Sequence, residues 1–243
     1  MDLFSKNRAL LGDDTVDIIA SSNITIVGCG GTGCSTLLFL LRLGAKRFTL
    51  IDFDRITDSN LNRQIFYDKL DIGLFKTDVL SKKIEKDFDL DSLLFHKEKI
   101  VKENIDLIIK DNIIFDCTDN LRTKFLLNSF VCNNDEKVLF HSGVDRFNGQ
   151  VMTIRKDTAC LDCFLKRPDN ETDKLNIITP VAMTSVLQTQ LFLDYITGFM
   201  EKNNMIFFDL NSPISIDRVK IEKNKNCITC RSYDEDNSKQ RKT

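Results

Sequence analysis

The hexapeptide GCGGTG, residues 28–33, restricts the possible folds of this chain more than any other segment. It follows the apolar, β-branched run NITIVG (23–28) and leads into TGCSTLLFLLRLG (32–44), which has the length of a helix and ends on glycine. Glycines permit a tight turn and a close approach of the backbone to a phosphate, and a helix N-terminus offers free N–H groups and the positive end of its dipole. The segment therefore predicts a strand, a phosphate-binding loop and a helix.

A carboxylate follows the next predicted strand. The apolar run RFTLID (47–52) ends in Asp52, 19 residues after Gly33, where a carboxylate can accept hydrogen bonds from ribose hydroxyls. The context predicts an adenine-nucleotide site. An NAD-dependent oxidoreductase shares this pattern, but nothing downstream is typical of a hydride-transfer site. The residues expected to bind the nucleotide in these elements are Gly28, Gly30, Gly31, Gly33 and Asp52.

Strands and helices alternate over the first part of the chain. Alternation at this spacing is typical of a parallel sheet covered by helices on both faces, so the sequence predicts a doubly wound, Rossmann-like α/β fold. The predicted strands are 23–28, 47–52, 92–99, 112–119 and 137–144. The predicted helices are 8–20, 32–44, 74–88, 104–110 and 121–133.

The pattern changes after Asn148. The run GQVMTIRK (149–156) and the strands 205–210 and 214–222 predict a partly antiparallel C-terminal extension, with a helix over 179–200 that has Thr179 as its N-cap. We therefore expect one domain over 1–230, with a nucleotide-binding half at about 1–147 and a second half at about 148–230. The charged tail 231–243 is expected to be disordered.

The charge balance argues against two classes of partner. The chain has 34 Lys and Arg against 36 Asp and Glu, a formal net charge of −2, which gives no general attraction to nucleic acid or anionic membrane. The amino terminus lacks the apolar core of a signal peptide, and the longest apolar runs are too short to cross a bilayer. We expect a soluble, cytoplasmic protein without a nucleic-acid or membrane partner.

Polar residues that suit a polyphosphate follow Asp52. Arg63 offers a fork of donors for phosphate oxygens, and Asn60 and Gln64 are neutral hydrogen-bonding groups beside it. Lys76 follows on the next predicted helix, although a lysine there is by itself typical of a protein surface. Asp54 lies in the same segment and is also expected to be among the nucleotide-binding residues.

The segment Asp116–Asn120 closes another predicted strand. Ligands gather at the carboxyl ends of strands in an open α/β sheet, and a carboxylate near a triphosphate suits Mg²⁺. Asp119, at the strand end, is the predicted magnesium ligand, with Asn120 beside it; Asp116 is expected to be structural. Of the two histidines, His96 is expected at the surface and His141 in the core.

Two CxxC pairs stand far apart, Cys160 with Cys163 and Cys227 with Cys230. Two such pairs suffice for a tetrahedral four-cysteine zinc site, and a redox-active CxxC is the alternative. A redox role does not explain why the motif occurs twice on a chain without a thioredoxin-like arrangement. The other four cysteines lie in apolar segments and are predicted core residues: Cys29, Cys34, Cys117 and Cys132.

The segments GCGGTGCS, IDFDRITDSNLNRQ and IFDCTDN and the two CxxC pairs, in this order from about Phe4 to Cys230, resemble the ThiF/MoeB/HesA family, relatives of the ubiquitin-activating enzymes. The resemblance implies an adenylyltransferase that uses ATP to activate the C-terminal glycine carboxylate of a small ubiquitin-like carrier protein and releases pyrophosphate. It implies structural zinc at the four cysteines, ribose binding by Asp52 and Mg²⁺ binding by Asp119. It also implies phosphate contacts for Asn60, Arg63, Gln64 and Lys76.

Three regions depart from the family pattern or extend it. Members work as symmetric dimers with a basic residue near the amino terminus reaching into the partner's site; here Lys6 takes the usual arginine position, and Arg8 is the alternative. Arg146 and Gln150 match a region that in relatives lines the path of the carrier's C-terminal tail. The loop after Cys163 has no cysteine where many relatives have one, near Glu171, so we expect no covalent thioester there.

Two alternatives to this function stay open. The same chemistry could activate a peptide or an RNA-linked carboxylate, although relatives that act on tRNA-linked carboxylates usually lack the paired cysteines. A catalytically silent partner subunit with the same fold is the other alternative. Arg63, Lys76 and Asp119 argue against a silent subunit, whereas the lysine at position 6 does not.

Overall fold

A glycine divides the amino-terminal helical region in the computed structural model, which describes residues 3–167, 175–201 and 204–230. Helix α1 spans Ser5–Leu11 and helix α2 spans Asp13–Ser21. Gly12 separates them with φ 85° and ψ 157°, a left-handed φ that strongly favours glycine. The predicted single helix over 8–20 was therefore wrong, because the sequence pattern of the two helices is continuous across a backbone break.

The first half of the chain alternates strands and helices as predicted. The elements are β1 (Asn23–Val27), α3 (Gly31–Leu43), β2 (Arg47–Ile51), α4 (Lys76–Asp87), β3 (Ser92–His96), α5 (Ile105–Ile108), β4 (Ile113–Asp116), α6 (Leu121–Cys132) and β5 (Val138–Asp145). Gly44 caps the carboxyl end of helix α3. It adopts a left-handed conformation and donates its N–H to the carbonyls of Leu40 and Leu41.

The second half adds β6 (Asn148–Ile154), α7 (Ile178–Ile196), β7 (Asn204–Asp209) and β8 (Ser215–Lys220). All eight strands form one sheet in the order β3-β2-β1-β4-β5-β6-β7-β8. The first five strands of the chain, β1 to β5, pair with their neighbours in parallel. Strands β6, β7 and β8 continue the sheet from β5 with antiparallel pairing. The predicted Rossmann-like fold with an antiparallel extension is confirmed.

Helices cover both faces of the parallel part. One core packs α3, α4 and α7 against the sheet, and at its centre the rings of Phe115 and Phe140 stack at 4.9 Å with Phe192 beside them. The other core packs α5 and α6 against the opposite face and includes Cys160, Cys227 and Cys230. The cysteine cluster is thus part of the second core.

Three predicted boundaries change. Strand β4 ends at Asp116, so residues 117–119 form a turn beyond the strand, and β3 ends at His96. Helix α7 begins at Ile178 and ends at Ile196, and its N-cap is Ile177 without a side-chain hydrogen bond, so the prediction of Thr179 as N-cap was wrong. The predicted tail 231–243 and the loop around Glu171 lie outside the described residues. Within the described ranges, no helix combines the length and apolarity that a bilayer crossing requires.

Candidate functional site

A cavity of about 1230 Å³ opens at the carboxyl ends of the parallel strands, at the point where β1 separates β2 from β4. This is where open α/β sheets bind ligands, because the loops on either side of the switch point diverge. The volume exceeds the roughly 300–1,000 Å³ usual for small-molecule pockets, so the cavity has room beside a nucleotide for part of a second substrate. Among the predicted residues, its wall includes Gly28, Gly30, Gly31, Asp52, Asp54, Asn60, Arg63, Gln64, Lys76, Asp119 and Asn120.

The glycine loop connects β1 to α3 and faces the cavity. Gly28 has φ 94°, and a Cβ there would lie 2.7 Å from the carbonyl oxygen of Cys117. Gly33 does not line the cavity: a Cβ on it would lie 1.9 Å from the carbonyl oxygen of Gly28, so this glycine permits α3 to pack against the loop. Gly33 therefore has a packing role in this structure, and its contact with a nucleotide stays a prediction.

Asp52 is buried at the end of β2 and holds the loop. Its Oδ2 accepts the N–H of Cys29 at 2.7 Å and its Oδ1 accepts the N–H of Asp54 at 2.8 Å. Burial raises the pKa of Asp52 above the ordinary 3.8, and the nearby ammonium of Lys76 counteracts part of that effect. A carboxylate that is costly to keep charged favours a ligand whose hydroxyl groups can hydrogen-bond to it.

Lys76 is not a surface lysine. It is 6% exposed at the start of α4, and its Nζ lies 2.7 Å from Asp54 Oδ2 and 3.8 Å from Asp52 Oδ2. Burial alone would lower the pKa of Lys76, but the carboxylates of Asp52 and Asp54 outweigh it and raise that pKa. The ammonium therefore stays charged inside the cavity wall, where it can stabilise an anion.

The segment 58–64 presents Arg63 to the cavity. Its Nη1 donates to the carbonyl oxygen of Ser59 and to Oδ1 of Asn62, both at 2.9 Å, which leaves its other guanidinium nitrogens for a ligand. Asn60 uses its Oδ1 to cap the local turn through the N–H of Thr57 at 3.2 Å, so this oxygen has a structural role. Gln64 is 3% exposed, and a Cβ on Gly30 would lie 3.7 Å from its Nε2.

Asp119 and Asn120 follow β4. Asp119 is exposed to the cavity, and no hydrogen bond or ion pair to its carboxylate is found among the described residues. Asn120 caps α6, because its Oδ1 accepts the N–H of Thr123 at 2.8 Å. The expected pair therefore has divided roles: Asp119 fits the oxygen-ligand chemistry of Mg²⁺, whereas the side-chain oxygen of Asn120 is used by the helix.

Asp116 is structural, as predicted, and is fully buried. Its carboxylate lies 3.2 Å from Nζ of Lys124 and 2.8 Å from Nδ1 of His141. Burial alone would raise the pKa of Asp116, but Lys124 and His141 outweigh it and hold that pKa well below the ordinary 3.8. His141 is 1% exposed, so its predicted core position is confirmed, with a polar partner that the sequence did not reveal.

The two CxxC pairs meet in the core that packs α5 and α6 against the sheet. The sulfurs of Cys160 and Cys163 are 3.9 Å apart, and the distances from Cys160 to Cys227 and from Cys163 to Cys230 are both 3.5 Å. All four sulfurs lie within 4.8 Å of one another. A tetrahedron with Zn–S bonds of about 2.3 Å requires edges of about 3.8 Å, so this cluster fits zinc.

A carboxylate joins the two cysteine turns. Asp162, inside the first CxxC, accepts from Thr229 Oγ1, inside the second CxxC, at 2.5 Å and from Asn128 Nδ2 on α6 at 3.1 Å. Arg167 binds Asp162 through two nitrogens, at 2.6 and 2.9 Å. This arrangement holds both turns and α6 in one register, which supports a structural rather than a redox-active cluster.

The other four cysteines are core residues, as predicted. Cys29, Cys34 and Cys132 are 0% exposed and Cys117 is 6% exposed. Burial raises the pKa of the Cys34 thiol to about 12 and raises those of Cys29 and Cys117 as well. Since a thiolate is the nucleophilic form, these thiols are unreactive at neutral pH.

The amino-terminal cations differ in their surroundings. Arg8 forms ion pairs through its Nη1 with Asp13 at 3.2 Å and Asp17 at 2.9 Å, whereas Lys6 is exposed. Arg146 lies at the tip of the β5–β6 hairpin with φ 54°, and its N–H donates to the carbonyl oxygen of Leu175, which lines the cavity. Gln150 stands opposite Gly143 in the same hairpin.

Several residues of the cavity wall were missed. Glu98, Lys99 and Ile100 follow β3, and Ser142 and Val144 lie near the end of β5. The rule that ligands collect at strand carboxyl ends would have found them, had the strands been assigned their order in the sheet. Leu175, Asn176 and Val181 also line the cavity, and only the folded chain brings them there.

Comparison with known proteins identifies the family. The sequence model described as "ThiF family" matches residues 4–229. The SAMP-activating enzyme E1 of Haloferax volcanii is 24% identical over 246 aligned residues, covering 95% of this chain and 88% of that protein. The adenylyltransferase and sulfurtransferase UBA4 of Kluyveromyces lactis is 26% identical over 181 residues, and the matched part is 40% of its length. The chain thus spans less than half of this second relative.

Solved structures show the same fold. The structure of E. coli MccB with ATP superposes with a TM-score of 0.83 at 18% identity, covering 95% of this chain and 75% of that one. The structure of PaaA superposes with a TM-score of 0.73 and covers 90% of this chain. With a family match over residues 4–229, the chain belongs to the ThiF family.

Proposed function

We propose that this protein is an ATP-dependent adenylyltransferase that activates the C-terminal carboxylate of a protein substrate. The observation that carries the proposal is the convergence of the glycine loop, Asp52, Lys76, Arg63 and Asp119 on a single cavity at the switch point of the sheet. In this proposal the loop and Asp52 hold the nucleoside end of ATP. Arg63, Lys76 and Asp119 act at the phosphates.

The reaction requires charge stabilisation more than proton transfer. An ionised carboxylate attacks the α-phosphorus, a P–O bond forms to the acyl oxygen, and the bond to the bridging oxygen breaks so that pyrophosphate leaves with the electron pair. Both reactants are anions, so cations around the phosphates lower the barrier. Lys76 stays charged between two carboxylates, and Arg63 has donors to spare. Mg²⁺ held by Asp119 would act as a Lewis acid on the phosphate oxygens.

The substrate we propose is a small ubiquitin-like carrier protein that ends in Gly-Gly. One relative, a Haloferax volcanii protein of which this chain covers 88%, is described as a SAMP-activating enzyme E1. Val144, Leu175 and Asn176 form the part of the cavity wall next to the β5–β6 hairpin, and Arg146 and Gln150 lie on that hairpin. We propose that a narrow, small-residue tail enters along this wall.

A peptide substrate is the second candidate. Several of the superposed structures are of MccB in complex with MccA, with TM-scores of 0.82 to 0.84. The chemistry at the phosphates would be the same, and only the length of the acyl substrate would differ. The four-cysteine cluster weighs against an RNA-linked carboxylate, as argued from the sequence.

None of the cysteines of this chain is proposed to receive the acyl group. All eight cysteines are described by the structure: four form the sulfur cluster, and the other four are buried. A thioester intermediate needs a thiolate that can reach the acyl-adenylate. The acyl-adenylate is therefore proposed to pass to a nucleophile from another molecule, such as sulfide.

We also propose a zinc ion at the four cysteines and a symmetric dimer in which Lys6 reaches the partner's site. Arg8 is already held by Asp13 and Asp17 of its own chain, which leaves Lys6 as the better candidate. A lysine supplies a point charge where an arginine would supply a fork, so its contact with phosphate is less directional.

The test is exchange of labelled pyrophosphate into ATP, with a Gly-Gly carrier, with a short peptide and with the same carrier blocked as a C-terminal amide. We expect exchange only with substrates whose C-terminal carboxylate is not blocked. Asp119→Ala should abolish this exchange while the unfolding free energy changes little. A protein that binds no ATP and shows no exchange with any acyl substrate is a silent subunit, which would overturn the proposal. Undiminished exchange by Asp119→Ala would remove that residue from the mechanism.

A further inference from the structure

Three buried polar side chains form a cluster directly beneath the turn that carries Asp119. Asp116 is 0% exposed, and Lys124 and His141 are each 1% exposed. Lys124 Nζ lies 3.2 Å from both oxygens of Asp116, and His141 Nδ1 lies 2.8 Å from its Oδ2. Because an ionised carboxylate only accepts hydrogen bonds, Nδ1 of His141 carries the proton in this contact.

Stability alone gives little reason for this cluster. Removing a carboxylate and an ammonium from water costs several kcal/mol per ion, and well-packed apolar side chains of the same volume often serve as well or better. Much of the core on this face of the sheet is apolar, for example Ile114, Leu127 and Leu139. What the charges add is direction, since each hydrogen bond fixes the position of a particular atom.

The atoms that the cluster fixes belong to the cavity wall. Oδ1 of Asp116 accepts the N–H of Thr118 at 3.1 Å and its hydroxyl at 2.7 Å. Lys124 Nζ donates to the carbonyl oxygen of Ser142 at 2.6 Å, and the hydroxyl of Ser142 donates to the carbonyl oxygen of Asp116 at 2.7 Å. Thr118 and Ser142 both line the cavity, so the cluster joins the ends of β4 and β5 into one wall.

Asp119 stands between two fixed neighbours. Thr118 is held by Asp116, and Asn120 is held by its capping bond to the N–H of Thr123 at 2.8 Å. The carboxylate of Asp119 itself projects from this turn without a partner among the described residues. Its position is therefore set by the backbone on either side of it.

We propose that Lys124 and His141 are positioning residues: by fixing Asp116 they hold the Thr118–Asp119 turn so that the Asp119 carboxylate faces the metal–phosphate group of bound ATP. The inference rests on the proposed function, which gives Asp119 that ligand. A displacement of about 1 Å of a group that positions a reacting phosphate can cost about 100-fold, so a small shift of this turn has a measurable effect.

The test measures binding of a fluorescent ATP analogue at equilibrium, with Mg²⁺ and with a chelator of Mg²⁺, and needs no turnover. His141→Leu removes the donor to Asp116, whereas His141→Asn retains an amide donor close to the position of Nδ1. We expect His141→Leu to weaken binding in Mg²⁺ at least tenfold and binding without Mg²⁺ less than twofold. His141→Asn should recover most of the loss.

Two further variants separate positioning from general stability. Thr25→Val breaks the buried hydrogen bond from Thr25 Oγ1 to Asp111 at 2.7 Å, away from the cavity, and should leave binding in Mg²⁺ unchanged. In an Asp119→Asn background, His141→Leu should have no additional effect, since residues that act through one group are not additive. If His141→Leu does not fold, Thr118→Val removes the hydroxyl donor from the other side of Asp116 and should give the same loss in Mg²⁺.

The outcomes distinguish this inference from the function on which it rests. A wild-type protein that binds no ATP with or without Mg²⁺ overturns the proposed function. A wild-type protein that binds MgATP, together with a folded His141→Leu variant that binds it equally well, overturns only the positioning role. An additive loss in the Asp119→Asn background also overturns it.

Discussion

At the scale of single residues, Gly30 differs from the other glycines of the loop. A side chain at Gly28 or Gly33 would collide with backbone atoms of the protein itself. A Cβ on Gly30 would meet only Nε2 of Gln64, at 3.7 Å, which is ordinary contact distance. The folded protein therefore has room for an alanine at position 30, and the space that glycine leaves lies in the cavity.

Gly30→Ala should consequently separate folding from binding. We expect the unfolding free energy to change by no more than about 0.5 kcal/mol, because φ at Gly30 is −79° and suits any residue. ATP affinity, measured by calorimetry, should fall at least about tenfold as the methyl group occupies the place of a phosphate. Gly33→Ala is the contrasting variant and should destabilise the fold severely. Normal ATP affinity in Gly30→Ala would show that the loop does not contact the phosphates.

Asp162 allows a second residue-scale prediction, at the sulfur cluster. Asp162→Asn replaces one acceptor oxygen by a donor amide that faces Thr229, Asn128 or Arg167, all of which are donors. Loss of such an outer contact typically lowers metal affinity by about 10–100-fold, and we expect that range in competition with a chromogenic zinc chelator. Asp157→Asn, in an exposed ion pair with Arg155, is the control and should not alter zinc affinity.

Residue type and spacing predicted which side chains share the site, but not what each does there. Lys76 was placed with the phosphates, yet its burial between two carboxylates depends on α4 beginning at that residue. Asn120 was grouped with Asp119 because they are adjacent, whereas the helix that starts after it uses its side-chain oxygen. A sequence motif shows which residue types are present, whereas the secondary structure determines the direction in which each side chain points.

At the scale of elements, one glutamine fixes α7 to the sheet. Gln188 is fully buried; its Nε2 donates to the carbonyl oxygens of Asp116 and Phe140 at 3.1 and 2.6 Å, and its Oε1 accepts from Thr36 of α3. A single side chain thus joins α7 to β4, β5 and α3. Apolar contacts are not directional, so they would fix the relative position of these four elements less specifically than the hydrogen bonds of Gln188 do.

We expect Gln188→Leu to lower the unfolding free energy by about 2–3 kcal/mol, because buried polar groups on three elements lose a partner. Gln190→Leu is a matched control on the same helix. That side chain is exposed and, within the part of the chain that the structure describes, bonds only Asp194, so the change should stay within about 0.5 kcal/mol. Urea unfolding followed by circular dichroism measures both. Equal effects of the two substitutions would contradict the role of Gln188.

The order of elements could be predicted from the sequence, and their ends could not. Hydrophobic periodicity identifies a strand or a helix over its middle, as it does for β1, α3 and α6. It does not register Gly12 as a break, because the break lies in the backbone angles of that residue, φ 85° and ψ 157°. It also extends β4 beyond Asp116, because the turn that follows begins with the buried Cys117.

At the scale of the whole molecule, the sulfur cluster joins parts of the chain that are distant in sequence. It links the segment after β6 to the segment after β8, and its sulfurs accept backbone N–H groups of Cys160, Asn224, Thr229 and Cys230 at 3.4 to 3.5 Å. The nucleotide cavity is built from the other ends of the elements, around β1 and β4.

Removing zinc with a chelator should therefore loosen one region. We expect faster hydrogen exchange at the amides of residues 160–163 and 224–230, and unchanged protection of β1, which pairs with strands on both sides. Exchange followed by mass spectrometry distinguishes the regions. Protection lost uniformly over the sheet would mean instead that the cluster is required for the entire fold.

The placement of the eight cysteines has a practical consequence for handling the protein. Four thiols lie in the core and four form one cluster, so a maleimide reagent should find almost nothing to modify in the native protein once the proposed zinc ion is bound. The fraction of molecules whose mass such a reagent increases would then measure how much of the protein has lost its metal or unfolded. A cysteine placed by substitution at an exposed site, such as Lys6, could be labelled selectively with a fluorophore without removing any native thiol.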